Sequence, residues 1–181
     1  MLALVGSGEY LPPMEPVDRF LLGQLKSEPR VACLPTAAGT EGAERIAYWS
    51  ELGKAHFTNL GVEVETLPVI DHPSANDPDL AERIRQANFI YLSGGKPDYL
   101  YRIFNGSLAW AAILEVLKTG GVVAGCSAGA MIMGDRIPWL PRGKPAFGLV
   151  QCVVIMPHFD EIPKTMINSL HIMVRDKQIL L

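Results

Sequence analysis

Ser127 lies at the centre of Val122-Val123-Ala124-Gly125-Cys126-Ser127-Ala128-Gly129-Ala130, an apolar run that passes through Gly-x-Ser-x-Gly into helix-forming residues. Small residues on both sides allow a tight strand-to-helix turn, the geometry of a nucleophile elbow, which leaves the hydroxyl exposed above the sheet edge. The helix that follows points free N–H groups at the same spot. A serine so placed can attack a carbonyl, provided that a base and an oxyanion site lie nearby. A serine in a short turn is more often only a cap, and here the strand before it and the helix after it favour the nucleophile. Cys126, one residue from the apex, reads as core.

Four histidines compete for the role of base. His56 and His171 fall inside helical patterns and His72 sits beside Pro73 in a turn, so each reads as structural or exposed. His158 follows the apolar run Val150–Met156. If that run is a strand parallel to Val122–Ala124, His158 and Ser127 emerge at the same sheet edge, where a neutral imidazole can take the serine proton. Gly94 and Gly95 follow another apolar run and permit close backbone approach. The N–H groups of Gly94-Gly95 can therefore aim at a developing oxyanion together with that of Ala128, and Gly94, Lys96, Gly8 and Glu9 are expected to line the substrate site. Gly6-Ser7-Gly8 is a weak dinucleotide signal, because position 11 is Leu11 and no acidic residue ends the second strand. No carboxylate stands out to orient His158: Asp160 and Glu161 are too close to it in sequence, Asp135 follows the elbow helix, and Asp176 lies at the far end of the last helix.

These groups need a scaffold that brings several strand ends to one edge. Short β-rich runs at Leu2–Val5, Val31–Leu34, Val62–Leu67, Phe89–Leu92, Val122–Ala124 and Val150–Met156 alternate with helical patterns at Val17–Leu25, Glu41–Leu60, Pro78–Ala87, Asp98–Phe104, Leu108–Thr119, Ala128–Gly134 and Pro163–Arg175. The alternation predicts a doubly wound, mostly parallel sheet with helices on both faces, in one domain spanning residues 1–181. In such a sheet ligands bind beyond the carboxyl ends of the strands. The Pro-rich stretch Ile137–Pro145 reads as a loop that walls the pocket.

The pattern resembles the serine peptidases that include aspartyl dipeptidase (peptidase E) and cyanophycinase, built on a class I glutamine-amidotransferase-like fold. Tyr91-Leu92-Ser93-Gly94-Gly95, Gly125-Cys126-Ser127-Ala128-Gly129-Ala130 and Pro157-His158-Phe159 carry the resemblance in order, and Cys33-Leu34-Pro35-Thr36-Ala37-Ala38-Gly39 looks like the family's second strand and loop. The resemblance implies Ser127 as nucleophile, His158 as base, backbone around Gly95 and Ala128 as oxyanion hole, and no metal or cofactor. Relative to the family the chain is shortened at its C-terminus, before the strand that brings an acid to the histidine. It carries Lys164 and no arginine in Ile162–Val174, which argues against a preference for aspartyl groups.

At 181 residues, 49% hydrophobic and 19% charged, with a formal net charge of -3, the chain has the composition of a compact α/β protein. The scattered Lys and Arg argue against nucleic acid and membrane as partners and leave a small peptide. Three cysteines do not make a disulfide framework, and with no leader or spanning segment in the sequence the expected setting is cytoplasmic. An early C-terminus would leave sheet edge or apolar surface uncovered, which favours a homodimer. Two functions remain open: a serine hydrolase cleaving small peptides through an acyl-enzyme, and a binding or regulatory protein on the same scaffold without efficient catalysis. A dinucleotide enzyme ranks a distant third.

Overall fold

A computed structural model describes residues 1–138, 143–161 and 178–180. Five parallel strands, β1 (Leu2–Val5), β2 (Arg30–Leu34), β3 (Glu63–Thr66), β4 (Phe89–Leu92) and β5 (Val122–Cys126), form the central sheet in the order β1-β5-β4-β2-β3. Helices α1 (Glu15–Leu22) and α2 (Ala43–Asn59) accompany the steps β1 to β2 to β3, which move one way across the sheet. The steps back, β3 to β4 to β5, use α3 (His72–Ala75), α4 (Pro78–Gln86), α5 (Pro97–Phe104) and α6 (Leu108–Lys118). Because parallel crossovers are right-handed, reversing direction places the second group of helices on the other face.

Side-chain alternation along the strands divides the core accordingly. Val31, Cys33, Phe89, Tyr91 and Ala124 pack with Leu21 and Leu22 of α1 and Phe57 of α2. Ala32, Leu34, Ile90, Leu92 and Val123 pack with Leu80 and Ile84 of α4 and Ile113 and Val116 of α6. Local chemistry starts the helices: Asp77 accepts the N–H groups of Asp79 and Leu80, Ser107 accepts that of Trp110, and Asp71 with Ser74 forms a capping box ahead of α3. The α/β class and doubly wound sheet are those expected. The turn expected at His72-Pro73 is instead the short α3.

Three further expectations are corrected. The run Val150–Met156 does not join the central sheet: only Val153–Ile155 is extended (β8), and it pairs in parallel with β9 (Gln178–Leu180) as a separate two-stranded sheet. The expected pocket loop contains an antiparallel pair, β6 (Arg136–Ile137) and β7 (Lys144–Pro145), pinned to α5 where the Lys144 ammonium donates to Asp98 Oδ2 at 2.8 Å. That bond holds the Asp98 carboxyl below its usual range. Helix α7 covers only Ala128–Met131. The helix expected at Pro163–Arg175, with Lys164, His171 and Asp176, lies outside the described residues. Among those described, no single helix is long and apolar enough to cross a membrane.

Candidate active site

The register Val5↔Cys126 and Leu92↔Gly125 places β5 between β1 and β4, so the residue after Cys126 emerges between the loops that follow β1 and β4. That residue is Ser127. Its backbone has φ 49 and ψ -108, a conformation that an L residue rarely adopts and that stores strain in the turn. Two glycines make the turn feasible: a Cβ on Gly125 would collide with the Gly129 backbone, and one on Gly129 with Leu92 O. The Ser127 N–H donates to Val5 O at 3.0 Å, which holds the turn against β1. Cys126 is fully buried. Burial first, then the nearby Glu9 carboxylate, push its thiol pKa up, so it is no competing nucleophile.

His158 arrives by a route different from that expected. After β8 the chain crosses the end of β1, the His158 N–H donates to Gly6 O at 3.3 Å, and the residue takes φ 54. Nε2 then lies 3.1 Å from Ser127 Oγ. Phe159–Glu161 coil into a 3-10 turn, which folds Glu161 back until Oε1 lies 3.7 Å from His158 Nδ1. Sequence proximity counts against Glu161, yet a helical turn places residues three apart side by side. The contact is solvated, with side chains 43% and 73% exposed, and is longer than a hydrogen bond.

The Gly94–Gly95 turn faces the serine from the β4 side. Ser93 N–H donates to Leu34 O, Gly94 N–H to Glu9 Oε1 and Lys96 N–H to Ala37 O. Gly95 has φ 141, and a Cβ there would sit 2.6 Å from the Ala37 backbone, so only glycine fits. Among the described residues the N–H groups of Gly95 and Ala128 have no hydrogen-bond partner. Gly8, at φ 80, has open space around it, and Lys96 is exposed with its ammonium donating to Thr40 Oγ1 at 3.0 Å. Glu9 departs from expectation. It is buried, and its two oxygens are taken by Gly94 N–H and the Cys126 thiol. Among the described residues no group of three or more His, Cys, Asp or Glu side chains is placed to hold a metal ion.

The chain is 37% identical to a peptidase from an acI-B1 Actinobacterium, whose crystal structure superposes with a TM-score of 0.86 over 93% of this chain and 74% of that one. A putative peptidase E protein from Listeria monocytogenes shares the fold at 24% identity, with a TM-score of 0.69 over 99% of this chain and 88% of that one. Among curated relatives, an uncharacterized peptidase of Listeria innocua, Lin0382, is 29% identical over 74% of this chain and 66% of its own length. The uncharacterized peptidase YgaJ of Bacillus subtilis is 31% identical over 72% of this chain and 54% of its own. For Lmo0363, an uncharacterized peptidase of Listeria monocytogenes, the match takes in 51% of its length, so the chain spans about half to two thirds of these relatives. The family model agrees in extent with the structural likeness: matched from residue 2 to residue 180, the chain belongs to peptidase family S51.

Proposed function

We propose that the protein is a serine-type peptidase that cleaves small peptides through an acyl-enzyme on Ser127. The observation that carries this reading is the 3.1 Å approach of His158 Nε2 to the hydroxyl of a serine held at φ 49. His158 Nε2 takes the proton as Ser127 Oγ forms a bond to the scissile carbonyl carbon. The N–H groups of Gly95 and Ala128 stabilise the oxygen that becomes negative. Collapse breaks the C–N bond, and the imidazolium returns the proton to the departing amine. Water then attacks the ester with His158 again as base, releasing the acid and the free serine. Gly8 and Lys96 border the space where the peptide lies.

Treatment with a fluorophosphonate followed by proteolysis and mass spectrometry tests the reading. A single adduct is expected on the peptide carrying Ser127, together with turnover in a library of short peptides. No adduct would sink the proposal. An adduct without turnover would favour the second reading, a binding or regulatory protein on the peptidase scaffold.

The solvated 3.7 Å contact of Glu161 with His158 motivates that second reading and a separate expectation. Exposed ion pairs contribute about 0–1 kcal/mol. Glu161→Gln is therefore expected to slow labelling by less than about tenfold, against about 10⁴-fold for disabling the buried acid of a full triad. A loss of the larger size would show that Glu161 orients the imidazole far more firmly than its exposure implies.

A further inference from the structure

Glu9 is a buried carboxylate that the acyl-enzyme chemistry does not use. It is 7% exposed and is carried by the loop after β1. Oε1 accepts the Gly94 N–H at 2.8 Å, and Oε2 accepts the Cys126 thiol at 2.9 Å. One donor thus belongs to the turn after β4 and the other to the last residue of β5, next to Ser127. The packing around the first donor is close: a Cβ on Gly94 would lie 2.7 Å from Glu9 Oε1 and 3.4 Å from Ser127 Cβ. Gly95, whose N–H is without a partner among the described residues, is the next residue along.

We propose that Glu9 is a positioning residue, whose carboxylate clamps the Gly94–Gly95 turn to the strand bearing Ser127 and so sets the Gly95 N–H relative to the serine hydroxyl. The role deepens the peptidase reading and rests on it. The Leu34 and Ala37 bonds of Ser93 and Lys96 tie the turn to the β2 side, and the Glu9 acceptor, itself held by the Cys126 thiol, is what ties it to the β5 side. Without the acceptor the buried Gly94 N–H is left unpaired, and the turn moves to satisfy it. An oxyanion donor displaced by a fraction of an ångström loses much of its value, because its strength lies in being aimed before the charge develops.

The test compares wild type with Glu9→Gln, Glu9→Asp, Glu9→Ala and Ser127→Ala, reading the rate constant and final extent of fluorophosphonate labelling by intact mass spectrometry. Glu9→Gln keeps the side-chain length and an oxygen for the Gly94 N–H, so its rate is expected within about threefold of wild type. Glu9→Ala lacks the acceptor and Glu9→Asp is one methylene short of it. Both are expected to label about 30-fold more slowly, yet to completion. A residue that merely stabilised the fold would lower the thermal midpoint and final extent while leaving the rate of the folded fraction unchanged. Should Glu9→Ala fail to fold, Glu9→Asp carries the comparison. Rates within about threefold of wild type for both the Asp and Ala variants overturn the role of Glu9, as does a Gln variant as slow as Ala, while leaving Ser127 as nucleophile. Labelling that survives Ser127→Ala overturns the serine reading itself, and the role of Glu9 with it.

Discussion

Ser127→Ala and His158→Ala are each expected to lower peptide turnover by on the order of 10⁴-fold or more, and the double variant to lose no more than the worse single one. On the proposed mechanism the two side chains act as one unit. With Nε2 3.1 Å from Oγ, removing the imidazole leaves a hydroxyl that is a poor nucleophile at neutral pH, and removing the hydroxyl leaves an imidazole with nothing to activate. Rate remaining in either variant would come from the N–H groups of Gly95 and Ala128, which neither substitution touches. Stability should change little in His158→Ala, because the side chain is 43% exposed. The measurement is kcat/KM on the best substrate of a short-peptide library, with thermal midpoints as a control. Losses that multiply in the double variant, or a His158→Ala loss below about tenfold, would mean that the 3.1 Å contact is not the proton-transfer path.

How far such a site can be seen in the chain alone depends on whether its parts are local. The turn at Ser127 is legible because strand, small residues and helix are contiguous, and β4 and β5 are legible because they are buried along their whole length and so read as unbroken apolar runs. His158 comes beside Ser127 by a route that its own stretch of sequence does not announce. An apolar run such as Val150–Met156 announces a core strand but not which sheet it joins, and the partner of β8 is β9, more than twenty residues further along. The histidine still reaches the serine because the chain crosses the end of β1 at Gly6, a non-local event. The antiparallel pair β6–β7 is not legible, because strands of two residues, one of them including Pro145, carry no period. Glu9 was placed at the right sheet edge but not in the right direction: Gly8 at φ 80 and Tyr10 at φ 63 turn the loop so that its carboxylate points inward. Residue spacing does not encode that choice, whereas Tyr10, packed 4.7 Å from the Tyr91 ring, does.

The same aromatic cluster motivates the second large expectation, which concerns stability and not rate. His56 of α2 and Asp18 of α1 meet at 2.8 Å between Nε2 and Oδ2, with side chains 3% and 0% exposed. Asp18 Oδ1 is already buried without a hydrogen-bond partner among the described residues, so His56→Ala would strand the whole carboxylate. Breaking a buried pair by removing one member costs about 3–5 kcal/mol. For a domain of this size that is a fall of roughly 6–20 °C in thermal midpoint. Replacing both residues with leucine removes the need for a partner, and the double variant is expected to recover a large part of the loss. The His56 ring also packs 5.0 Å from Phe57 and 6.0 Å from Tyr10, so part of the cost of the single variant is lost packing, which leucine partly restores. Tyr10 in turn is the neighbour of Glu9, which makes the comparison with the Glu9 variants informative. If the helix pair only supports the scaffold, His56→Ala lowers the midpoint while folded protein labels at the wild-type rate, the reverse of the pattern expected for Glu9→Asp. A midpoint within about 3 °C of wild type for both Asp18→Ala and His56→Ala would show that the buried pair contributes little to holding α1 against α2.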